Sequence, residues 1–287
     1  MRKIKDYSLY LVASQKYGLG RNVLEIAREA ISGGIDVLQM REKHASREEL
    51  VRLGKELASL CAEYGVIFII NDDPFLAKEV NADGVHLGQE DIKKFPVERA
   101  REILGVDKIV GISTHSAKQF KEANEGNFDY VAFGPVFSTE TKDYSIGTEN
   151  VQEVMKIARK PVVFIGGINL GNIDIVLKDG AKNIAAIRGI VQADDIASRV
   201  KEFKKKIDAC RKRRKLTVRI NGKKEKINEE STLIELIERR GLNPDRVIIE
   251  HNMEIIPKEK WPKVFINGED TIEIISFMGG GSPWKIY

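Results

Sequence analysis

The first two-thirds of the chain alternates short apolar runs with amphipathic stretches, and this alternation constrains the fold more than any other feature. Eight runs have the length of buried strands, and the stretches between them carry apolar residues at helical spacing. The runs are apolar on both faces, as expected for parallel strands covered by helices. The predicted strands are Leu9–Ala13, Val37–Met40, Val66–Ile70, Gly84–Leu87, Ile109–Ile112, Tyr130–Phe133, Val162–Ile165 and Ile184–Ile187. The clearest predicted helices are Arg21–Ile31, Arg47–Glu63, Val97–Leu104, Glu149–Ala158 and Ile173–Lys178.

Eight strands, each followed by a helix, predict an α/β segment that closes into a (β/α)8 TIM barrel over residues 1–209. An open doubly wound sheet is the alternative. Such a sheet should be smaller, and no G-x-G-x-x-G pattern follows the first strand. In a TIM barrel the active site lies at the carboxyl-terminal ends of the strands. The residues that follow each predicted strand are therefore the candidates for chemistry.

A different pattern follows the basic segment 210–215, which we interpret as a linker. The order strand, strand, helix, strand, strand predicts a small α+β domain of the β-grasp (ubiquitin-like) type over residues 216–281. Asn221-Gly222 is a strong hairpin signal, and Gly241 is expected to end the helix. The predicted elements are strands Leu216–Ile220 and Lys226–Asn228, helix Leu233–Arg240, and strands Val247–His251 and Thr271–Phe277. An extension, residues 282–287, follows the glycines at 279–281.

Composition argues against several classes of function. The formal net charge of +4 is too weak to indicate nucleic acid, and we interpret the basic run Lys201–Lys215 as a solvated helix end. No apolar run approaches the roughly 18 residues that span a bilayer, so no membrane contact is expected. Two cysteines, Cys61 and Cys210, cannot form a disulfide framework and suggest a reducing compartment. The amino terminus lacks the apolar segment of a signal peptide, so we expect a cytoplasmic protein.

The residues after the predicted strands are cations, carboxylates, hydroxyls and glycines, and the whole chain has only four histidines. Acyl transfer through a serine–histidine pair is therefore poorly supported. Several cations with two carboxylates on neighbouring strands suit a phosphorylated or pyrophosphorylated substrate with Mg²⁺, which prefers oxygen ligands. Gly166-Gly167 and the region after strand eight lie where barrels commonly hold a phosphate on backbone N–H groups.

Each of these residues also has a purely structural interpretation. Asp72 is placed to cap the helix that follows it, and Asp91 is placed to cap a short turn. Arg41 and Lys43 are each acceptable as solvated cations. His86 is expected to be a hydrogen-bonded, inward-facing residue rather than a ligand. The functional interpretation gains weight because the whole set converges on one face of the predicted barrel.

Seven segments in a fixed order carry a family resemblance. They are Gln39-Met40-Arg41-Glu42-Lys43, Asn71-Asp72, Asn81-Ala82-Asp83-Gly84-Val85-His86-Leu87-Gly88-Gln89-Glu90-Asp91, Gly111-Ile112-Ser113, Gly134-Pro135-Val136-Phe137, Thr139-Glu140-Thr141-Lys142 and Gly166-Gly167-Ile168. Residues 7–209 thereby resemble thiamine phosphate synthase. That family joins a hydroxymethylpyrimidine pyrophosphate to a hydroxyethylthiazole phosphate and releases pyrophosphate.

The resemblance implies a role for each site residue. Asp72 and Asp91 bind Mg²⁺, while Ser113 and Lys142 contact the pyrophosphate or the pyrimidine. The catalytic residues implied are Arg41, Lys43, Ser113 and Lys142. Gln39, Arg41 and Lys43 are implied to hold the pyrimidine pyrophosphate with Asn71, and Thr139, Thr141 and Gly167 to line the thiazole phosphate site. The further substrate-binding residues are Met40, Glu42, Glu140, Ile187 and Arg188.

One departure from the family pattern concerns the end of strand eight. The family usually has a valine–serine pair there, whose backbone and hydroxyl meet the thiazole phosphate. Here Ile187-Arg188 occupy those positions. Arg188 either binds the phosphate by charge, or faces away and leaves the phosphate to the backbone.

A second resemblance covers residues 216–281. It rests on the segments Val218-Arg219-Ile220-Asn221-Gly222, the helix ending at Gly241-Leu242, Ile249-Glu250-His251-Asn252, and Ile272-Glu273-Ile274-Ile275-Ser276-Phe277-Met278-Gly279-Gly280. These resemble the thiamine-biosynthesis sulfur carrier. In such carriers the terminal glycine is adenylated and converted to a thiocarboxylate that gives sulfur to the thiazole. The implied partners are an adenylating enzyme and a thiazole synthase.

The chain continues past the glycines, so Gly279, Gly280 and Gly281 have no free carboxylate. We therefore predict a bifunctional fusion whose sulfur carrier is latent until the tail is removed. The rival hypothesis is a synthase whose carrier domain is retired and serves only assembly or stability. A third hypothesis is a barrel isomerase that acts on a sugar phosphate.

Overall fold

The computed structural model describes residues 3–139, 144–213, 215–229, 231–276 and 285–286. The chain divides into two compact units, Met1–Asp208 and Ala209–Tyr287. Among the described residues, no helix combines the length and apolar character that crossing a bilayer requires.

The first unit is a closed barrel of eight strands in sequence order, with every neighbouring pair parallel. The predicted (β/α)8 TIM barrel is therefore confirmed. Four strands have the predicted bounds, and the other four differ by one or two residues. The strands are β1 (Leu9–Ala13), β2 (Val37–Met40), β3 (Ile67–Asn71), β4 (Gly84–Leu87), β5 (Ile109–Thr114), β6 (Tyr130–Phe133), β7 (Val162–Phe164) and β8 (Asn183–Ala186).

Helices follow the strands and cover the barrel. Local caps define their ends: Asn22 and Glu25 form a capping box at the start of α1, and Gly34 closes that helix with φ +94°. The helices are α1 (Val23–Gly33), α2 (Arg47–Tyr64), α3 (Pro74–Glu79), α4 (Asp91–Lys94), α5 (Val97–Leu104), α6 (Ala117–Glu125), α7 (Glu149–Ile157), α8 (Ile173–Lys178), α9 (Arg188–Val191) and α10 (Ile196–Arg213).

The inside of the barrel is filled mostly by apolar side chains. Val12, Val37, Ile69 and Val163 belong to this cluster, together with Tyr10 on β1 and Tyr130 on β6. The two tyrosines bring hydroxyl groups into an otherwise apolar interior. Buried polar groups of this kind need hydrogen-bond partners, and their partners lie at the candidate site.

Side-chain oxygens tie the strands together at the amino-terminal face of the barrel. Asp36, Asp83 and Asp129 each precede an even-numbered strand and accept the backbone N–H at the start of the strand before it, at 2.7, 2.9 and 2.7 Å. Asn183 does the same around β8, where it accepts from Ser8 and donates to Val162. These bonds satisfy strand ends and stabilise the barrel.

The interpretation of residues 210–215 as a linker is wrong, because α10 continues to Arg213 and the next strand begins at Lys215. Long basic side chains have good helix propensity, so a charged run in water continues a helix as readily as it forms a linker.

The second unit is a mixed sheet in the order β10-β9-β13-β11-β12, and β14 pairs with β13. This α+β arrangement agrees with the predicted β-grasp type. A capping box of Thr232 and Glu235 starts its helix, and Leu233 and Ile237 pack with Trp261 in its core. The elements are β9 (Lys215–Ile220), β10 (Lys223–Asn228), α11 (Leu233–Arg239), β11 (Val247–His251), β12 (Glu254–Ile255), β13 (Thr271–Ser276) and β14 (Lys285–Ile286).

Candidate active site

Polar side chains at the ends of β2 and β3 bond directly to one another. The Gln39 amide donates from Nε2 to Asn71 Oδ1 at 2.7 Å, and the Gln39 side chain is buried. Met40 is also buried and lines a recess with Lys43 and Asn71. The end of β2, with Gln39, Met40 and Lys43, therefore lies beside Asn71 at the end of β3, on the carboxyl-terminal face.

Two adjacent aspartates after β3 have different roles. Asp73 is the N-cap of α3, because its side chain accepts the N–H of Leu76 at 2.9 Å, and it also pairs with Arg47 at 2.7 Å. Asp72 has a left-handed φ of 68°, and its own N–H donates to the carbonyl of His86. The interpretation of Asp72 as the helix cap is therefore wrong, and its carboxylate is available to the site.

The carboxylates of Asp72 and Asp91 are close enough to interact strongly. Burial raises the pKa of Asp72 to about 6, and the hydrogen bond and negative charge of Asp91 add to this rise. Lys43, whose Nζ lies 3.6 Å from Asp72 Oδ2, and Arg41 oppose it. Asp91 also accepts the N–H of Gly88 at 3.0 Å, so the predicted turn-capping contact of Asp91 is present as well.

The carboxylate pair fits a divalent cation in its chemistry. When two carboxylates lie close together, their repulsion raises the pKa of one of them. A cation bound between them reduces that repulsion. Mg²⁺ is commonly held by one or two carboxylates, with substrate phosphates and waters as its other ligands. Among the described residues no group of three or more histidine, cysteine, aspartate or glutamate side chains could hold a metal alone. Asp72 and Asp91 would therefore share a cation with the substrate.

His86 on β4 and Ser113 on β5 form the next part of the site. The His86 ring bonds through Nε2 to Ser113 Oγ and through Nδ1 to the hydroxyl of Tyr130, each at 2.7 Å. The prediction that His86 is an inward-facing, hydrogen-bonded residue is confirmed. Burial lowers the pKa of His86 to about 4, against a smaller opposing effect of Asp91. Gln89 Nε2 donates to the carbonyl of Ser113 at 2.6 Å and supports its position.

A cavity of about 530 Å³ opens at the ends of β6, β7 and β8. Gly166 and Gly167 line it with φ of 105° and 67°. A Cβ on Gly166 would lie 2.3 Å from Pro135, and one on Gly167 would lie 2.7 Å from Phe137, so only glycine fits at either position. The predicted residues that line this cavity are Thr139, Gly167, Ile187 and Arg188.

Arg188 is the first residue of α9, and its guanidinium carbon lies 5.8 Å from the centre of the Tyr17 ring. Tyr17 lines the same cavity. The side chain is therefore at the cavity wall, within reach of an anion in the cavity.

Some of the remaining predicted site residues lie within the described part of the chain, and others lie outside it. Arg41 and Glu42 follow β2, and the Glu42 carboxylate accepts the backbone N–H of Gln15. Glu140, Thr141 and Lys142 lie outside the described residues, as do Gly279, Gly280 and Gly281, so the predictions for these six residues stay predictions.

The sequence interpretation missed several residues of the site. Tyr10 and Tyr130 were given no role, because each lies on a strand among apolar neighbours. Gln89 belongs to the segment 81–91 of the family resemblance, but it was given no role there. Asn169 and Gln192 line the cavity with Arg188. A hydroxyl-bearing aromatic on a strand that is otherwise apolar on both faces was the available signal for the two tyrosines.

Comparison with known proteins finds a family match for each of the two units. The family model described as Thiamine monophosphate synthase matches residues 9–190, and the ThiS family model matches residues 212–281. The thiamine-phosphate synthase of Dictyoglomus thermophilum is 41% identical over 202 residues, covering 69% of this chain and 89% of that protein. The thiamine-phosphate synthase of Persephonella marina is 40% identical over 201 residues, covering 69% of this chain and 95% of that protein.

A solved structure supports the same assignment. The thiamine phosphate pyrophosphorylase of Pyrococcus furiosus superposes with a TM-score of 0.66 at 35% identity, covering 71% of this chain and 96% of that one. These similarities extend over the barrel, and the ThiS family match covers the unit that follows it. The chain therefore belongs to the thiamine monophosphate synthase family, as an enzyme whose barrel is followed by a domain of the ThiS family.

Proposed function

We propose that the barrel joins 4-amino-5-hydroxymethyl-2-methylpyrimidine pyrophosphate to hydroxyethylthiazole phosphate in a Mg²⁺-dependent reaction, giving thiamine phosphate and pyrophosphate. The observation that carries this proposal is the division of the barrel mouth into two anion-binding parts. The first part holds the carboxylates of Asp72 and Asp91 beside Lys43. The second is the cavity lined by Gly167 and Arg188. A pyrophosphate with its cation suits the first, and a phosphate suits the second.

The residues of the site favour a dissociative alkyl transfer. The bond between the pyrimidine methylene carbon and the pyrophosphate oxygen breaks, and the electron pair leaves on the oxygen. The lone pair of the thiazole nitrogen then forms the new carbon–nitrogen bond. No side chain need act as a nucleophile, because the amino-pyrimidine ring can delocalise the positive charge on the methylene carbon.

The protein contributes charge and position to this reaction. Arg41 and Lys43 place positive charge beside Asp72, where the leaving pyrophosphate would accumulate negative charge. Lys142 is proposed to join them. Bound Mg²⁺ supplies further stabilisation of the leaving group. The cavity beside Gly167 and Arg188 would anchor the thiazole phosphate, so that the attacking nitrogen is held near the methylene carbon.

An assay of both products tests the synthase proposal. We expect thiamine phosphate and pyrophosphate in equal amounts from the two substrates with Mg²⁺, and no product after the divalent cation is chelated. Restoring Mg²⁺ should restore the rate. Turnover of a sugar phosphate, without turnover of the pyrimidine pyrophosphate, would instead favour the isomerase hypothesis.

The second unit is proposed to be a sulfur carrier that is latent until the tail is removed. Adenylation needs a free α-carboxylate, and in the intact chain that carbon of Gly280 or Gly281 is in a peptide bond. The pairing of β14 with Ile275–Ser276 of β13 supports latency, because the tail residues 285–286 bond to the strand that precedes the glycines. Partners in this role would be an adenylating enzyme and a thiazole synthase.

Truncation separates the latent carrier from a retired domain. Chains that end at Gly280 or Gly281 should accept AMP from a partner adenylating enzyme, while the full-length chain should not. Synthase activity should be equal in all three chains. A native species of the truncated mass, or its thiocarboxylate, would support processing. Adenylation of the uncleaved chain at an equal rate contradicts latency, and failure of both truncations favours the structural or assembly role.

A further inference from the structure

A continuous chain of hydrogen bonds crosses the interior of the barrel. It begins at Asn71 on β3, where Gln39 Nε2 bonds to Asn71 Oδ1 at 2.7 Å. Gln39 Oε1 bonds to the Tyr10 hydroxyl at 2.9 Å, and that hydroxyl bonds to the Tyr130 hydroxyl at 2.9 Å. Tyr130 bonds to His86, and His86 bonds to Ser113 on β5. The chain therefore links two sides of the barrel mouth.

The middle of this chain is excluded from water. Gln39, Tyr10, Tyr130 and His86 are 3%, 2%, 1% and 7% exposed, while the end residues are partly exposed at the mouth. Among the described residues, no buried side-chain nitrogen or oxygen lacks a hydrogen-bond partner. Because these side chains are buried, a wrongly placed hydrogen among them costs more free energy than it would in water.

A glycine on β5 makes room for the chain. A Cβ at Gly111 would lie 2.1 Å from two ring atoms of Tyr130 and 2.5 Å from its hydroxyl. The Tyr130 ring also stacks on His86, with the ring centres 5.5 Å apart. The absence of a side chain at Gly111 therefore leaves the space that the ring and hydroxyl of Tyr130 occupy.

The hydrogen count gives the chain one direction. Gln39 uses its nitrogen toward Asn71, so its oxygen must accept from Tyr10. The single hydrogen of Tyr10 is then used, and Tyr130 must donate to Tyr10. The single hydrogen of Tyr130 is used in turn, and His86 Nδ1 must donate to Tyr130.

The direction continues to Ser113. No carboxylate among the described residues hydrogen-bonds to the His86 ring, and burial between two hydroxyl groups favours the neutral imidazole. Its one hydrogen is on Nδ1, so Nε2 accepts the hydroxyl hydrogen of Ser113. Ser113 then presents only lone pairs to the substrate.

We propose that Tyr10, Tyr130 and His86 are positioning residues that couple Gln39 and Asn71 to Ser113, so that the donor and acceptor roles on the two sides of the site are set together. This inference rests on the proposed synthase function for its kinetic consequence. In the free protein, Ser113 suits a hydrogen donor such as the amino group of the pyrimidine. A ligand that needs a hydrogen from Ser113 would require every bond of the chain to reverse, including both amides.

The tautomer of His86 tests the coupling without substrate. We would label the full chain with ¹⁵N-histidine, record long-range ¹H–¹⁵N correlations, and assign His86 among the four histidines with His86→Gln. His86 should carry its hydrogen on Nδ1. In Tyr130→Phe the Nδ1 acceptor is lost, so the hydrogen should move to Nε2 and bond to Ser113. Tyr7→Phe, at a buried tyrosine outside the chain, is the matched control and should leave the tautomer unchanged.

A double-mutant cycle tests the coupling in catalysis. The effects of Gln39→Ala and Ser113→Ala on kcat/KM for the pyrimidine pyrophosphate should depart from multiplicativity by about tenfold, as residues of one hydrogen-bond network do. In a Tyr130→Phe background, or in Tyr10→Phe should the first variant not fold, that departure should disappear. The KM for the thiazole phosphate should stay unchanged in these variants and is the control. General damage to the barrel would change the kinetics with both substrates.

The outcomes separate this proposal from the function on which it rests. Independent effects of Gln39→Ala and Ser113→Ala in the unmodified protein would overturn the coupling. A hydrogen on Nε2 of His86 in the unmodified protein would overturn it as well, as would an equal tautomer shift in Tyr7→Phe. If the chain makes no thiamine phosphate, the synthase proposal fails, but the tautomer measurement still decides the direction of the chain.

Discussion

Aspartate side chains have opposite electrostatic surroundings at the two ends of the barrel. At the amino-terminal face, Asp36 and Asp129 accept backbone N–H groups and pair with Lys204 and Arg101, at 2.7 and 2.9 Å. At the carboxyl-terminal face, Asp72 faces another carboxylate. Aspartates stabilise a fold where they receive hydrogens and opposite charge, and they oppose it where they repel one another. A cation bound at the carboxyl-terminal pair, as proposed above, would relieve this repulsion.

The backbone shows the same difference. Asp72 is in the left-handed region with φ of 68°, a conformation that costs free energy for a residue with a side chain. Its neighbour Asp73 has an extended φ of −114° and caps a helix. Of two consecutive aspartates, Asp73 therefore caps a helix, while Asp72 is the one proposed to bind a cation.

The largest effect is expected at the carboxyl-terminal pair. Asp72→Ala and Asp91→Ala should each lower Mg²⁺-dependent synthesis by at least about a hundredfold, as loss of an electrostatic group at a reacting centre does. The free energy of unfolding should change little or rise, because a repulsive pair is removed. Asp73→Asn is the matched control, since asparagine retains the cap. Near-normal turnover in either alanine variant, at saturating substrate and limiting Mg²⁺, would show that the metal assignment for that residue is wrong.

A smaller effect is expected at the cavity of the carboxyl-terminal face. Arg188→Glu should raise the KM for thiazole phosphate by more than about tenfold, because like charges would meet where a charge-assisted bond is expected. Arg188→Ser restores the usual family residue and should change that KM by less than about tenfold. The KM for pyrimidine pyrophosphate is the internal control and should stay constant. An unchanged KM in the glutamate variant would mean that Arg188 does not contact the phosphate.

At the amino-terminal face the expected loss is in stability. Asp129→Ala removes the bonds to Val110 and Arg101 and leaves a strand-end N–H unpaired, which should lower the free energy of unfolding by about 1–3 kcal/mol. Turnover at 25 °C should remain normal. Asp107→Ala, at an exposed aspartate shortly before β5, should change stability by less than about 0.5 kcal/mol. Equal losses in the two variants, measured by urea unfolding, would show that the strand tie contributes nothing.

The smallest effect concerns pH. The folded pKa of Asp72, about 6, lies above its ordinary value of 3.8, so the folded state binds more protons than the unfolded state between those values. Stability from this group should therefore be present below pH 3.8 and be lost as pH rises through about 6. The difference in unfolding free energy between the unmodified protein and Asp72→Asn, measured in a chelator, should follow that course. A difference that grows as pH rises would contradict the raised pKa.

Much of the fold could be predicted from the sequence. Runs that are apolar on both faces exist because parallel strands are covered on both sides, so the eight barrel strands were recognisable within one or two residues. The end of α10 was not, because a basic run is compatible with both a helix and a linker. Position at a strand end predicted that a set of polar side chains lies on one face of the barrel. The candidates placed there are Gln39, Asn71, Asp72, Asp91 and Ser113.

The interior hydrogen-bond chain could not be predicted in the same way. Tyr10 and Tyr130 are 120 residues apart, and their hydroxyls meet only because β1 and β6 belong to one closed sheet. The ring of a strand tyrosine packs in the same way with any hydrogen-bond partner for its hydroxyl. The local sequence pattern therefore does not identify that partner. The roles of Glu140, Thr141 and Lys142 are predicted from the sequence alone. The same is true of the sulfur-carrier chemistry predicted for Gly279, Gly280 and Gly281.

The sequence by itself determined the order of elements, the face that carries the chemistry, and the presence of a second β-grasp unit, because periodicity and strand ends are local properties. Only the tertiary structure decided that Asp73 rather than Asp72 caps α3, that Asp72 meets Asp91, and that His86 joins Tyr130 to Ser113. Those contacts depend on strand register and barrel closure. Register is set by many long-range packing interactions at once, so no single segment contains it.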